Sequence, residues 1–330
     1  MREVGRAFCI QLTITNACSY DCCHCSQSCP HVSKDKKYYM TLDEVEKGLQ
    51  SLEGFNGHIG IFGGEPTIHP QFEEICKLYQ KYVFVKARRE LWTAGTKYKK
   101  YKELINETFY PELVSYNEHW DEQSCYHQPV NIAVREIFNG ETSGHSDEDR
   151  SLMKHLINNC WVQQRWSPAI TPKGAYFCEI AGSRAIILGG ANGLPVEKGW
   201  WLRPLGDYQA QIDTLCVNCS ACVPMFARVE DKQERDEVSP KMLAALREAK
   251  SPKAVKGNCI ELDLEKIRAF LRGHSFNPET EYRKRGGYKD FPNWKPWSYR
   301  LQIINTPDGG KIYCGKGKEL SGANYGTEKQ

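Results

Sequence analysis

The sequence predicts an α/β fold built as an incomplete barrel of strand–helix units, and three observations predict it. Short apolar runs alternate with amphipathic helical patterns through the first half of the 330 residues, the signature of parallel strands joined by crossover helices. Five or six such units can be read, fewer than a closed eight-fold barrel needs. After Cys160 the texture changes to short extended runs and turns, so a second, smaller module is expected to start about there.

Phe8 to Thr15 (FCIQLTIT) reads as the first strand. Thr41 and Glu44 have the spacing of a capping box, which opens a helix running to about Leu52. His58 to Phe62 is a second strand that ends at Gly63-Gly64, and Pro70 starts the next helix. Further strands fit Glu90 to Thr93, Leu113 to Asn117 and Val130 to Ile137, with helices near Tyr98 to Thr108 and Asp147 to Asn159. Ser167 to Phe177 has a Pro-Lys-Gly turn between two extended runs and reads as a β-hairpin. Two helical patterns follow, one entered at Ser239-Pro240 and one over about Leu262 to Leu271, before an irregular end. There is no internal repeat.

The chain is 40% apolar and 26% charged, with 44 basic against 41 acidic side chains. This excludes a disordered or fibrous protein and allows one sizeable core plus an appendage. A net charge of +3 is too small to make nucleic acid the expected partner. No run approaches the ~18 apolar residues of a membrane helix, and the N-terminus has no secretory pattern, so a soluble, cytoplasmic protein is expected. Fifteen cysteines, an odd count, then suit metal binding better than disulfides.

Directly after the first strand comes Thr15-Asn16-Ala17-Cys18-Ser19-Tyr20-Asp21-Cys22-Cys23-His24-Cys25. Three thiolates spaced CxxxCxxC in one loop can hold three irons of a [4Fe-4S] cube and leave the fourth iron open. Independently, Gly63-Gly64-Glu65-Pro66 follows the second strand, where glycines let backbone approach a ligand closely. With both motifs in this order the chain resembles the radical S-adenosylmethionine (SAM) superfamily. The resemblance implies a cluster on Cys18, Cys22 and Cys25 that cleaves SAM to a 5′-deoxyadenosyl radical, and a Gly63-Gly64-Glu65 loop holding the SAM amino group. It further implies His24 near the adenine, and Ser115 and Asn117 at the ribose or carboxylate. Thr93-Ala94-Gly95 looks like the family's Thr-Asn-Gly turn, but Ala94 removes a side-chain hydrogen bond and puts a role for the turn in doubt. Alternatives stay open: a zinc knuckle of Cys22, Cys25, Cys29 and His24 or His31, and simple strand capping by Ser115 and Asn117.

In the second module Cys160 is followed by Cys178, with Gly174 just before it, and then by Cys216 and Cys219. This resembles the Twitch half-domain of radical SAM enzymes and implies an auxiliary [4Fe-4S] cluster on those four thiolates. The longer SPASM domain is a poorer match, because Cys216-Val-Asn-Cys219-Ser-Ala-Cys222 runs CxxCxxC. Cys222 is an alternative ligand, and whether three or four thiolates bind stays open, as does a structural zinc ribbon. Cys9, Cys23, Cys29, Cys76, Cys125, Cys259 and Cys314 read mainly as small buried hydrophobes.

Glu118 and His119, after the fourth strand, are candidates for acid–base work on substrate, against the reading of a solvated loop. Tyr282 to Arg300 is basic and aromatic, and is expected to pack its rings over the open side of the barrel rather than to bind nucleic acid.

The expectation is therefore a partial (βα)6 TIM-like barrel over 1–155, a Twitch-like β-hairpin/helix auxiliary-cluster module over 156–235, and a C-terminal extension over 236–330 with an irregular end. Such an enzyme would abstract hydrogen from a small polar substrate, sugar-like or cyclitol-like, and oxidise it through the auxiliary cluster, making it an oxidoreductase. Its electrons would come from a donor such as flavodoxin or ferredoxin. The first strand begins within ten residues of the start, which favours a small molecule over a peptide. Peptide modification, epimerisation or adenosylation stays open, and a zinc-ribbon nucleic-acid-binding protein is the reading from another class.

Overall fold

A computed structural model describes residues 1–116, 126–127, 130–138, 147–158, 160, 162–163, 167–223, 226–229, 235–265, 295–296, 301–305 and 311–315. Four strands run parallel in chain order: β1 (Cys9–Thr15), β2 (His58–Gly63), β3 (Arg89–Thr93) and β4 (Val114–Tyr116). Between them lie α1 (Leu42–Ser51), α2 (Phe72–Tyr82) and α3 (Tyr98–Thr108), with α1 packed on α2 and α2 on α3. The capping box of α1 forms: the Glu44 N–H donates to Thr41 Oγ1 at 3.2 Å, and the Thr41 N–H donates to the Glu44 carboxylate at 2.8 Å.

β1 is buried along its whole length. Ile10, Leu12 and Ile14 join the apolar core, and α1 comes close because Gly48 has no side chain; a Cβ there would meet Leu12 at 3.1 Å. Gln11, Thr13 and Thr15 alternate with them, so their buried side chains fall on the opposite face of the sheet.

The fifth unit differs from its sequence reading. Val130 to Ile137 is not a strand: α4 (Val134–Phe138) occupies its second half and buries Val134, Ile137 and Phe138 at helical spacing. A short apolar run fits either period, and here the helical one wins. A short strand β5 (Tyr126–His127) pairs outside the main sheet, and α5 (Asp147–Asn158) follows α4.

The hairpin after Cys160 forms as β6 (Ala169–Thr171) and β7 (Gly174–Tyr176), and it joins the main sheet. β6 pairs parallel to β1 on the side away from β2, giving the order β4-β3-β2-β1-β6-β7. Helices α6 (Glu179–Leu188) and α7 (Gln209–Leu215) follow, then β8 (Phe226–Val229), the partner of β5. The tail begins with β9 (Asp236–Val238), α8 (Pro240–Glu248), α9 (Pro252–Val255) and β10 (Cys259–Glu261), with β9 and β10 parallel. Val238, Met242, Leu243, Leu246 and Ala254 of this segment form a second core with Val32 and Ile187. No helix among the described residues is long and apolar enough to cross a membrane.

Candidate functional site

The loop leaving β1 is tied down before its first cysteine. The Ala17 N–H donates to Thr15 Oγ1 at 3.0 Å, Thr15 Oγ1 donates to the Tyr38 carbonyl at 2.7 Å, and Asn16 bridges Lys36 and Tyr38. The loop after β2 then zips onto it: the Gly64 N–H donates to Thr15 O at 2.7 Å and the Glu65 N–H to Ala17 O at 2.8 Å. Both glycines are required by that approach. Gly63 has φ +145°, and a Cβ on Gly63 or Gly64 would lie 2.1 Å from the carbonyl of Thr15 or Ala17.

Glu65 is fully buried, and its carboxylate is a hub. It accepts from the Thr67 N–H at 3.0 Å, from the Thr67 hydroxyl, from Thr93 Oγ1 at 2.6 Å and from the Ala94 N–H at 2.6 Å. The Thr93-Ala94-Gly95 turn thus has a place without the missing Asn, through the Thr93 hydroxyl and the Ala94 backbone. Ser19 Oγ and Thr96 Oγ1, 3.0 Å apart, fasten the cysteine loop to the same turn. Three strand ends, β1, β2 and β3, are therefore locked at one rim of the sheet.

Cys18 and Cys25 lie within electrostatic reach of each other, and Cys29 within reach of Cys18, Cys22 and Cys25. Cys29 is more than core filling: its thiol hydrogen-bonds Cys25, and that bond, then burial, pushes it well up. Burial pushes Cys18 up to about 12, partly offset by the Tyr20 N–H that donates to Cys18 Sγ at 3.4 Å.

The tail supplies residues that sequence reasoning missed. Asp236 of β9, 1% exposed, accepts from the His24 N–H at 2.9 Å, shares a 2.6 Å hydrogen bond with His31 Nε2 and accepts from Lys253 Nζ at 3.0 Å. Burial alone would push its carboxyl up, but His31, His24 and Lys253 outweigh that and hold it well below the usual carboxylate range. Lys253, also buried, donates to the carbonyls of Cys22 at 3.1 Å and Asp21 at 3.3 Å. His31 Nδ1 pairs with Ser251 Oγ at 2.8 Å. His24 itself is fully buried with φ +54° and its Nε2 is 3.9 Å from Glu237. Nothing in the spacing of 236–253 signalled a tie to a loop more than 200 residues earlier.

A second group of thiols shares a cavity elsewhere. Cys160, Cys178, Cys216, Cys219 and Cys222 line one mainly apolar cavity with Phe177, Ile180 and Arg184. The Ala221 N–H donates to Cys219 Sγ at 3.4 Å, and Cys222 Sγ donates to Cys219 O at 3.8 Å. Ser115 lies on β4 opposite Trp92 in the register. Asn117, Glu118 and His119 lie outside the described residues, as does most of Tyr282 to Arg300.

A family profile described as the radical SAM superfamily matches residues 12–135, the stretch that holds both the Cys18–Cys25 loop and the Gly63-Gly64-Glu65 loop. That stretch of the chain is similar to the radical SAM superfamily. GTP 3′,8-cyclase of Actinobacillus succinogenes is 28% identical over 69 residues, 21% of this chain and 20% of that protein, so the match spans about a fifth of the relative's length. Among solved structures, BtrN in complex with AdoMet and 2-DOIA is 16% identical over 64% of this chain and 92% of that one, with a TM-score of 0.40. Selenomethionine BtrN in an open conformation is 15% identical over 52% and 70%, with a TM-score of 0.32. Radical SAM domains use a [4Fe-4S] cluster and SAM.

The residues present fit that cofactor set. Among the described residues no three Cys, His, Asp or Glu side chains converge as a single metal ion would need. A [4Fe-4S] cube asks for something different, one thiolate per corner. The radical SAM loop offers that in Cys18, Cys22 and Cys25, beside a backbone cradle that the two glycines keep open.

Proposed function

We propose that this radical SAM enzyme oxidises a small polar molecule, sugar-like or cyclitol-like, with the help of an auxiliary [4Fe-4S] cluster. Five thiols on one apolar cavity, far along the chain from the SAM motif, are the observation that carries this reading. Cys18, Cys22 and Cys25 would hold the SAM-cleaving cluster, with Gly63, Gly64 and Glu65 shaping the place of the SAM amino group. Ser115 and Asn117 would lie toward the ribose or carboxylate. Cys160, Cys178, Cys216 and Cys219 would hold the second cluster, with Cys222 as alternative ligand. When bound, the cofactors supply a 5′-deoxyadenosyl radical that takes one hydrogen atom and an acceptor for the one electron that remains. With loss of a proton, the substrate is oxidised by two electrons overall.

A polar substrate is supported by β1. Gln11 Oε1 and Thr13 Oγ1 are buried on its inner face and have no hydrogen-bond partner among the described residues, the condition in which a hydroxyl-bearing ligand gains most. Electrons would come from a flavodoxin- or ferredoxin-type donor.

The test is iron, sulfide and zinc per chain after anaerobic purification and reconstitution, followed by 5′-deoxyadenosine release with candidate polyols. About eight irons support two clusters, and about four remove the auxiliary one. 5′-Deoxyadenosine formed with a product of unchanged oxidation state overturns oxidation in favour of epimerisation or adenosylation. Zinc without iron sinks the enzyme reading.

A further inference from the structure

Arg184, on α6, is 1% exposed, and it lines the same cavity as the five thiols. Its guanidinium donates to Val130 O at 2.9 Å, to Asn131 Oδ1 at 2.7 Å and to Asn218 O, and Nη2 lies 3.4 Å from Met242 Sδ. Every one of these acceptors is neutral. Nε has no hydrogen-bond partner among the described residues. The ionisable groups acting on it electrostatically are the thiols of Cys219 and Cys216.

A guanidinium is always charged in proteins, and a buried charge is costly unless an opposite charge meets it. Buried Lys253 meets that need with Asp236, whereas Arg89 is held by backbone carbonyls alone, outside the thiol cavity. Arg184 makes no ion pair among the described residues: it shares one cavity with the thiols and another with Arg135 and Asp213, and thiols are neutral until they bind metal. Metal loading turns them into thiolates, so the missing anion forms where the guanidinium already stands.

We propose that Arg184 is the counter-charge of the metal–thiolate group in this cavity, favouring its assembly and raising the potential at which it accepts an electron. The second half rests on the auxiliary-cluster reading above. A cation or N–H donor beside cluster sulfurs stabilises the more negative, reduced state, which suits a centre that must take an electron from a substrate radical. Arg184 acts through the cluster and touches no substrate.

The experiment uses the full chain as wild type, R184M and R184K, each before and after reconstitution. Metal loading is expected to raise the melting temperature of the wild type, with the gain at least halved in R184M and largely restored in R184K. In a redox titration followed by electron paramagnetic resonance, one of the two cluster potentials should fall in R184M by at least tenfold in the reduction equilibrium, about 59 mV for one electron. The other should stay in place, and R184K should bring the first back. Equal melting gains and two unmoved potentials would overturn the proposal. If R184M does not fold, R184Q, which keeps polar bonds without the charge, takes its place in both readouts. A wild type holding about four irons and one zinc would overturn the auxiliary-cluster reading and the redox half with it. The counter-charge half would then stand or fall on the zinc-loaded melting gain.

Discussion

Glu179, the first residue of α6, is buried and accepts from Ser167 Oγ at 2.6 Å. Burial, helped by Glu90, pushes its carboxyl from 4.5 up to about 8. The unfolded chain releases this proton near 4.5 while the folded chain keeps it to about 8, so the folded state binds more protons in between. Stability therefore falls as pH rises through that window, by at most about 1.4 kcal/mol per unit, and levels off above it. Glu179→Gln cannot ionise and is expected to lose this slope, leaving it more stable than the natural protein at pH 8. Urea midpoints at pH 5, 6.5 and 8 check this. Asp236 has the opposite sign: its lowered carboxyl adds stability above the unfolded value near 4, lost as pH falls below it. Lys253→Met removes the lysine charge from that buried carboxylate and leaves it the His31 and His24 hydrogen bonds, so a loss at or below the about 3–5 kcal/mol of a broken buried pair is expected. The double change Lys253→Met with Asp236→Asn should recover much of it, as measured by urea unfolding.

At the scale of elements, the loops after β1 and β2 work as one piece. Gly64→Ala would put a methyl group 2.1 Å from Ala17 O and so must push the two loops apart. The expected result is iron content near that of the wild type but at least a tenfold loss of SAM affinity, read by equilibrium dialysis; unchanged affinity would remove the loop from SAM binding. These elements were legible in the sequence because their signals are local. The Thr41 box and the cysteine spacing are each complete within a few residues, and the glycine pair directly ends β2, although the carbonyls it approaches belong to the distant loop after β1. The hairpin's place beside β1, the helix at Val134–Phe138 and the role of Asp236 were not legible, since each is decided by partners distant in the chain. Cys29 was read mainly as filler, with a zinc knuckle of Cys22, Cys25 and Cys29 as the alternative, and its tie to Cys25 is seen only in the fold.

For the whole molecule, the tail is part of the site. A chain ending at residue 235 would keep the described strands of the main sheet but lose Asp236, Ser251 and Lys253 from behind the cysteine loop. Its iron content after reconstitution is expected to fall by about four per chain, with far-ultraviolet circular dichroism showing a folded protein. Full iron loading of the truncated chain would reduce the tail to a cover.

The Lys253–Cys22 contact joins residues 231 apart. A ribosome makes Cys18, Cys22 and Cys25 more than 200 residues before the lysine that braces their loop. Until residue 253 is made, the nascent chain carries these cysteines without Asp236 and Lys253 behind them. A product cut short before residue 236 would thus keep the three cysteines but none of the tail contacts that hold their loop.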